Sequence, residues 1–343
     1  MNGAAQGTTE VGPQVAPVSV RTAINGVLDE LLHADDRVVL LGEDIEDPGG
    51  GVFGVTRGLS TRYPGRVRDT PISEQAIVGA AIGAALAGMR PVAEIMFMDF
   101  LAVCLDQLVN HAAKLRYMSG GRTTVPLVVR TAVGGGLGVG AQHSQMLEAW
   151  LVHVPGLKVV VPSTPTDARA LLVSCVEDED PCIFLEQVPN YAYKEPLEDL
   201  KVRLGSAVVR REGSDLSVIT YGRQTHDAVA VAGELSAEGI NVEVVDLRSL
   251  APLDTETVLE SVHKTRRAVV FHEAVVTGGF GAEISTLISA GCFGELASPV
   301  ERVGAVASPL PYAKGLERLA LPGRSRLTEA IRRALGESSP SIN

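Results

Sequence analysis

Short apolar runs alternate with longer amphipathic stretches through the first half of the chain. The runs are nearly continuous in apolar residues, which is typical of strands buried on both faces of a parallel sheet. The predicted strands are residues 38–44, 91–97, 125–132, 158–164 and 181–187. The stretches around them predict helices at residues 18–33, 74–88, 99–118, 144–153 and 164–178. Ser163, Thr164 and Pro165 predict an N-terminal cap for the last of these helices.

A second alternation begins after a segment of different character. Residues 186–205 contain two prolines, two tyrosines and mixed charge, which indicates a connection between domains. Further strands are predicted at residues 216–222, 241–247, 268–274 and 300–305, each followed by a helical stretch. Because strand and helix alternate in both halves, the pattern predicts an α/β protein of two domains, each with a mostly parallel sheet flanked by helices.

The predicted domain boundaries follow these changes in pattern. They are a flexible N-terminus over 1–17, a first domain over 18–190, a linker over 191–205, a second domain over 206–337 and a tail over 338–343. The N-terminal segment is small, polar and rich in proline, so we expect it to be mobile. A length of 343 residues suits two domains of ordinary size.

Charge and hydropathy exclude two classes of partner. The formal net charge is −11, and no basic run is longer than a pair such as Arg210–Arg211. Such a surface repels phosphate backbones, so nucleic acid is not an expected partner. No apolar run approaches the ~18 residues of a membrane span, and the first residues lack a signal-peptide pattern. We therefore expect no membrane association.

The cysteines indicate a reducing compartment. All of them lie inside apolar segments without the spacing of a metal site; they are Cys104, Cys175, Cys182 and Cys292. This pattern predicts buried free thiols, and we therefore expect a cytoplasmic location.

Several common catalytic motifs are absent from the sequence. There is no Gly-Lys dipeptide and hence no P-loop, no G-x-S-x-G elbow and no H-E-x-x-H. The glycine-rich run at 134–140 does not fit G-x-G-x-x-G, so a dinucleotide site is not indicated. The remaining candidates are carboxylates at predicted strand and helix ends, together with one histidine.

Two glutamates occupy such ends. Glu74 follows the candidate N-cap Ser73 and begins a helix rich in alanine and glycine, which we expect to pack closely on a neighbour. Its position alone favours a carboxylate stabilised by the helix N-terminus; the alternative is a group that exchanges a proton with a cofactor ring. Glu43 ends the first predicted strand, where ligands bind in open α/β sheets, although a solvated loop acid has the same position.

His143 follows the glycine-rich run at the end of a further strand, at the predicted mouth of a helix. A lone histidine is more often structural than catalytic. Because the carboxyl ends of parallel strands share one sheet edge, however, we expect His143 to meet Glu43 and Glu74 there. Converging titratable groups mark candidate sites. His272, at the end of a strand in the second domain, is the next candidate histidine.

Five long segments carry specific motifs. They are "GEDIEDPGGGVFGVTRGL", "DTPISEQAIVGAAIGAALAGMRPVAEI", "GAQHSQMLEAWLVHVPGLKVVVPSTPTDA", "DLRSLAPLDTETV" and "HEAVVTGGFGAEI". Together they resemble the β subunit of thiamine-diphosphate-dependent 2-oxo acid dehydrogenases, nearest the pyruvate and acetoin types. The likeness covers residues 18 to 336 in matching order. It implies an α2β2 heterotetramer in which each thiamine diphosphate lies between an α subunit and a β subunit.

The resemblance implies roles for single residues. Glu74 matches the glutamate that hydrogen-bonds N1′ of the aminopyrimidine and so promotes removal of the thiazolium C2 proton. Glu43, Ile72 and Phe100 match residues that line the pyrimidine pocket. His143 matches the histidine that acts around acyl transfer to a lipoyl arm.

The resemblance also implies two metal ions. Leu127, Cys175, Asp178 and Asp180 match a potassium-type site found in some members, which is built largely from backbone carbonyls. Magnesium holds the diphosphate, but the Gly-Asp-Gly stretch that this needs is absent here. In the family that stretch belongs to the α subunit, so the resemblance implies that this chain is half of an enzyme.

Three functions remain open from the sequence. The first is the β subunit that decarboxylates a small 2-oxo acid, or cleaves acetoin, and passes the acyl unit to a lipoyl acyltransferase. The second is transketolase-like transfer of a two-carbon unit from a ketose to a carrier protein. The third is a structural or regulatory partner that kept the fold, which the intact Glu74 and His143 disfavour.

Overall fold

The computed structural model describes residues 16–337, which form two layered α/β units built on separate sheets. The predicted flexible N-terminus lies outside the described residues except for Ala16 and Pro17. The predicted tail lies outside them entirely. Within the described residues, every helix is too short or too polar to cross a membrane.

The first sheet has seven strands and contains all five strands predicted for the first half of the chain. In spatial order they are Ser249–Ala251, Lys158–Val160, Cys182–Gln187, Val128–Val133, Arg90–Phe97, Val38–Gly42 and Val67–Asp69. Neighbouring strands are parallel except at the Ser249–Ala251 edge. Helices cover both faces, which explains why the strands are apolar almost throughout.

The helices of the first unit surround this sheet. The α-helices are Val20–Ala34, Leu59–Arg62, Glu74–Leu86, Leu115–Met118, Glu148–Val152 and Pro165–Glu177. Residues Val188–Ala192 form a 3₁₀ helix, and Val18–Ser19 pairs antiparallel with Lys194–Glu195 in a small separate sheet. Part of the predicted linker therefore folds back onto the first unit. Thr164 caps the Pro165–Glu177 helix in a reciprocal capping box with Asp167.

The prediction of a single α-helix at 99–118 was wrong. The chain instead forms a 3₁₀ helix at Met98–Cys104, a π-helical turn at Gln107–Ala112 and the short helix that begins at Leu115. The buried side chains are spaced by three in the first part and by four in the second; they are Met98, Leu101, Cys104, Leu108 and Ala112. A threefold spacing of core contacts suits the tighter 3₁₀ turn, so packing overrides the helical pattern.

The second sheet has five strands and contains the four predicted for the second half. In spatial order they are Glu301–Ala305, Ala268–Val275, Leu216–Thr220, Val242–Asp246 and the antiparallel edge strand Val208–Arg211. Its helices are Gln224–Ser236, Thr255–Thr265, Gly281–Gly291, Lys314–Ala320 and Arg324–Ala334. The predicted fold class, two α/β units with mostly parallel sheets, is confirmed.

A strand and a charge cluster join the two units. Ser249–Ala251 comes from the second half of the chain but pairs with the edge strand of the first sheet. Beside it, the buried Asp167 of the first unit forms ion pairs with Arg210 and Arg248 of the second. Arg210 also lies 2.8 Å from the buried Asp246 carboxylate. Because buried charges are costly unless they are paired, this cluster fixes the two units against each other.

Candidate active site

Glu43 and Glu74 lie close together at the carboxyl-end edge of the first sheet. Glu43 directly follows the strand Val38–Gly42, and Glu74 is the first residue of its helix. Both side chains are half-buried. Burial, the Asp44 carboxylate and the Glu74 carboxylate, in that order, raise the pKa of Glu43. The two carboxylates are therefore electrostatically coupled, as expected for groups that share a site.

Backbone geometry places Glu74 in the first turn of its helix. The predicted N-cap position of Ser73 is confirmed, but its side chain makes no capping hydrogen bond. The Glu74 carboxylate thus lies where the helix dipole favours a negative charge. The preceding Ile72 has 76 % of its surface exposed, which is unusual for isoleucine in a folded chain.

The sequence predicted His143 at the mouth of a helix, but the structure does not place it there. It lies in a bend of the loop between Val128–Val133 and the helix that begins only at Glu148. Its ring contacts Phe97 and Phe100 edge to face, with ring centroids 5.0 and 5.4 Å apart. Such contacts restrict the orientation of the imidazole while leaving its nitrogens available for exchange. The polar stretch around His143 is therefore a loop, and contacts with Phe97 and Phe100 fix the orientation of the His143 ring within it.

The 3₁₀ helix Met98–Cys104 connects the histidine to the glutamates. Phe100 contacts the His143 ring, and Glu74 lies near enough to Cys104 to contribute, after burial, to raising the pKa of that thiol to about 12. Asp99 accepts a hydrogen bond of 2.7 Å from Gln145, two residues after His143. The structure thus brings the predicted residues from three segments to one edge of the sheet.

These side chains fit an aminopyrimidine ring. Phe97 and Phe100 form an edge-to-face aromatic pair at this edge, Glu74 adds a half-buried carboxylate, and Glu43 adds a second carboxyl whose pKa is raised, first of all by burial. A heteroaromatic cofactor needs this combination of a flat apolar surface and a carboxyl at one ring nitrogen.

Known protein families match both units of the chain. Residues 16–194 match the pyrimidine binding domain of transketolase, and residues 205–327 match the transketolase C-terminal domain. The chain is 44% identical over 336 residues to the β subunit of the acetoin:2,6-dichlorophenolindophenol oxidoreductase of Cupriavidus necator, covering 93% of this chain and 97% of that one. The chain belongs to the β subunits of thiamine-diphosphate-dependent 2-oxo acid dehydrogenases.

Two further likenesses agree with this membership. The chain is 42% identical over 330 residues to a mitochondrial pyruvate dehydrogenase E1 component subunit beta-2 of Oryza sativa subsp. japonica, covering 94% of this chain and 88% of that one. A solved structure of a split-gene transketolase, described as an inactive beta4 tetramer, superposes with a TM-score of 0.78. It covers 94% of this chain and 100% of that one at 24% identity, which shows the fold alone.

The residues predicted for a monovalent cation lie together, but protein cations already contact them. Arg90 donates to the backbone carbonyls of Val176, at 2.7 Å, and Asp178, at 3.2 Å. Lys158 lies 2.7 Å from one carboxylate oxygen of Asp178. The remaining predicted ligands make internal contacts: the Leu127 carbonyl accepts from Cys182 N–H at 2.8 Å, Asp180 pairs with Arg116, and Cys175 is fully buried. A potassium ion would have to share the Asp178 carbonyl with Arg90.

His272, the second candidate histidine of this β subunit, lies away from this edge. It is fully buried in the second unit, where its ring lies parallel to Tyr221 with centroids 6.0 Å apart. Burial is the main cause that lowers the pKa of His272 to about 4. An imidazole in this environment stays neutral at ordinary pH and packs as part of the core.

Sequence reasoning missed three glutamates of the β subunit that lie behind the His143 loop. Glu148 accepts a hydrogen bond of 2.6 Å from the Tyr221 hydroxyl, and burial raises its pKa to about 6. Glu273 and Glu317 of the second unit accept hydrogen bonds from backbone N–H groups of the glycine-rich run. Glu273 stands in a quoted motif next to His272, whereas Glu317 carries no local signal in the sequence.

Proposed function

We propose that this chain is the β half of a dehydrogenase component that decarboxylates a small 2-oxo acid, or cleaves acetoin, and passes the acyl unit to a lipoyl arm. The observation that carries the proposal is the meeting of Glu74 and His143 around one short helix, Met98–Cys104. Relatives named for acetoin and for pyruvate support the same substrate class. Transketolase-like transfer is supported only by the names of the two matching domain families and by likeness of fold.

An α subunit is the partner that this edge requires. Ile72 and three small residues of the Glu74–Leu86 helix, Gly79, Ala80 and Gly83, are exposed in the single chain. A Cβ atom added at Gly79 or Gly83 would meet nothing within 4 Å, so these glycines serve no contact inside the chain. A face of small residues suits close approach of a second backbone. The α subunit would also supply magnesium and the diphosphate site, forming an α2β2 heterotetramer.

Glu74 would act on the proton at N1′ of the cofactor. Thiamine diphosphate supplies, when bound, a carbon nucleophile and an electron sink for cleavage next to a carbonyl. In this chain the Glu74 carboxyl would hold N1′ by a hydrogen bond, and Glu43 and Phe100 would line the pyrimidine pocket beside it. Ile72 would close the pocket against the partner.

His143 would move a proton at the acyl-transfer step. Its ring is half-buried and held from two sides by Phe97 and Phe100. A fixed imidazole with access to water is suited to act as a proton donor and acceptor. The acceptor would then be the lipoyl arm of an acyltransferase.

The ion and the compartment complete the proposal. A potassium ion at Leu127, Cys175, Asp178 and Asp180 remains a prediction, and it would require Arg90 to give up part of its carbonyl contacts. The four free cysteines are all buried, which supports a cytoplasmic location.

The test separates Glu74 from His143. Glu74→Gln should slow both exchange of the cofactor C2 proton and acceptor-coupled turnover by ~10²- to 10⁴-fold, because it removes an acid–base group. His143→Ala should leave C2-proton exchange within about twofold of the wild type and reduce acceptor-coupled turnover by a similar ~10²-fold or more. Both rates are measured on variants assembled with the α partner and magnesium.

Exposed Glu329, which lies on the Arg324–Ala334 helix, provides the control. Glu329→Gln should change neither rate. Equal losses of C2-proton exchange in Glu74→Gln and His143→Ala would contradict the division of roles. Full turnover of His143→Ala would show that the histidine is structural.

A further inference from the structure

The glycine-rich run 134–140 is packed against the second unit almost residue by residue. A Cβ atom added at Gly134 would lie 2.6 Å from a carboxylate oxygen of Glu273, and one at Gly135 would lie 2.7 Å from Leu310. A Cβ atom at Gly140 would lie 2.3 Å from the ring of Tyr312. These distances are shorter than normal contacts, so a larger residue would have to displace the facing side chains, and at Gly134 and Gly140 it would also have to adopt left-handed backbone.

Two carboxylates of the second unit bind the backbone of this run. Gly135 N–H donates to Glu273 at 2.6 Å, and Gly136 N–H donates to Glu317 at 2.9 Å. Gly138 N–H reaches both oxygens of Glu317, at 3.2 and 3.0 Å. The exposed fractions of Glu317 and Glu273 are only 1% and 4%. Hydrogen bonds from backbone N–H groups to a buried carboxylate are strong and directional.

The Glu273 carboxylate accepts further hydrogen bonds from side chains, whereas within the described residues the Glu317 carboxylate accepts hydrogen bonds only from this run. Gln187 and Gln224 donate to the second oxygen of Glu273 at 2.9 and 3.1 Å. Both oxygens of Glu317 bind only Gly136 and Gly138. The contribution of Glu317 is therefore confined to the position of the glycine-rich run, which makes it the cleaner residue to test.

The run leads directly to His143. Gly140 O accepts the backbone N–H of His143 at 3.4 Å, so the histidine is anchored to the last glycine. A cavity of about 430 Å³ separates part of this loop from the second unit; it is lined by Ser144 and Met146 of the loop and by Glu273 of the second unit, among others. Packing against the second unit is therefore incomplete beside His143. The hydrogen bonds to Glu317 and the contact with Phe97 and Phe100 hold the loop where this packing is missing.

We propose that Glu317 is a positioning residue of the reaction: its carboxylate fixes the Gly136–Gly138 backbone and thereby holds the His143 ring in place at the active-site edge. The proposal rests on the proposed function, since it takes His143 to act in acyl transfer. The second unit then contributes to the chemistry of the first without touching substrate. A purely structural carboxylate would instead stabilise the contact between units and affect every activity through folding.

The test is a double-mutant cycle on the assembled α2β2 enzyme with His143→Ala and Glu317→Ala. In the wild-type background, Glu317→Ala should reduce acceptor-coupled kcat by ~10-fold or more and leave C2-proton exchange within about twofold. In the His143→Ala background, Glu317→Ala should cause almost no further loss, because both changes remove the same function. Hydrogen exchange of the 134–143 segment should become at least ~10-fold faster in Glu317→Ala, with distant segments unchanged.

Glu317→Gln keeps the shape and one accepting oxygen, so it should fold even where Glu317→Ala does not. Its effects on kcat and on hydrogen exchange should be intermediate, since the amide nitrogen cannot accept from Gly138 N–H. Glu329→Gln, on the exposed side of the next helix, is the matched control and should resemble the wild type.

The outcomes separate the two proposals. Equal fold losses from Glu317→Ala in both backgrounds, or unchanged hydrogen exchange at 134–143, would overturn the positioning role while leaving the proposed function intact. Full turnover of His143→Ala would overturn the role of His143 in acyl transfer and the positioning role together, whereas a wild-type enzyme without acceptor-coupled turnover of a 2-oxo acid or acetoin would overturn the proposed function. Non-additive losses with local loosening of the loop would support both.

Discussion

Two glycine-rich segments of this chain share a composition and differ in everything around them. Gly79 and Gly83 lie on the Glu74–Leu86 helix and have open space where a side chain would be. Gly134, Gly135 and Gly140 face atoms of the second unit at less than 3 Å from the position of a Cβ atom. One segment is therefore unfilled inside the single chain, and the other is filled, because side chains of the second unit occupy the space beside its glycines.

The difference shows that glycine serves two physical purposes on the two sides of the site. In the helix, glycine leaves the surface without side chains, and no contact within the chain requires it. In the loop it permits left-handed backbone, with φ of +87° at Gly134 and +81° at Gly140, and close approach of a buried carboxylate and an aromatic ring. The helix face has no contact within the chain and is free to bind another subunit, whereas the loop already packs against the second unit of the same chain.

The largest effect is expected for Gly134→Ala. The left-handed backbone costs an alanine about 1–2 kcal/mol, and displacing the Glu273 carboxylate breaks buried hydrogen bonds that contribute about 1–3 kcal/mol more. We expect the free energy of unfolding to fall by roughly 2–5 kcal/mol. Urea unfolding of the purified protein measures it.

Gly239 gives the matched control for that substitution. Its φ of +84° is similar, but a Cβ atom there would meet nothing within 4 Å. Gly239→Ala should therefore show the backbone cost alone, about 1–2 kcal/mol. If both substitutions destabilise equally, the contact with Glu273 contributes nothing to the filled segment.

A smaller effect is expected from Glu148, which begins the helix after the filled loop. Its pKa rises from the usual 4.5 to about 6, mainly because it is buried. The folded state therefore holds the proton more tightly than the unfolded state. The stability that this supplies is fully present below pH 4.5 and is lost as the pH rises through about 6.

Glu148→Gln should remove this pH dependence. Relative to wild type, the variant should gain about 2 kcal/mol of stability between pH 4.5 and 7. Unfolding curves at several pH values measure the difference, with Glu329→Gln as a control that should show no such trend. If the free energies of unfolding of Glu148→Gln and wild type differed by the same amount at every pH, the pKa of Glu148 would be unchanged by folding. Water would then reach this carboxylate.

The smallest effect on stability is expected for Gly79→Ala and Gly83→Ala. Each should stabilise the single chain by about 0.5–1 kcal/mol, because alanine is the better helix former and meets no obstruction. In contrast, each should weaken assembly with the α partner, since the added methyl group intrudes on the proposed interface. Mass photometry of the co-expressed subunits across a dilution series measures the assembly.

Gly233 separates these two effects. It is exposed on the Gln224–Ser236 helix, with nothing within 4 Å of an added Cβ atom. Gly233→Ala should give the same gain in stability and leave assembly unchanged. Assembly of Gly79→Ala at wild-type concentrations would argue against the Glu74–Leu86 helix as the interface.

Local patterns predicted much of the first sheet and part of the site. Continuous apolar runs predicted its strands, and Glu74 was correctly expected at the start of a helix. The convergence of Glu43, Glu74 and His143 followed from the rule that parallel strands end at one edge. The helix at 99–118 failed because core contacts spaced by three residues override an α-helical pattern. The helix predicted at 144–153 forms only over Glu148–Val152, because Gln145 and Leu147 make their hydrogen bonds with residues that are distant in sequence.

By itself, the sequence determined the order of strands and helices, the family and the identity of the candidate groups, because periodicity and motifs are properties of neighbouring residues. Only the tertiary structure decided that Ser249–Ala251 extends the first sheet and that Phe97 and Phe100 orient the His143 ring. It alone paired Glu317 with glycines that are more than half the chain length away in sequence. Hydrogen bonds and close packing depend on positions in space. A carboxylate that is removed from water by burial must be hydrogen-bonded by the protein, and only the folded chain decides which backbone groups are within reach.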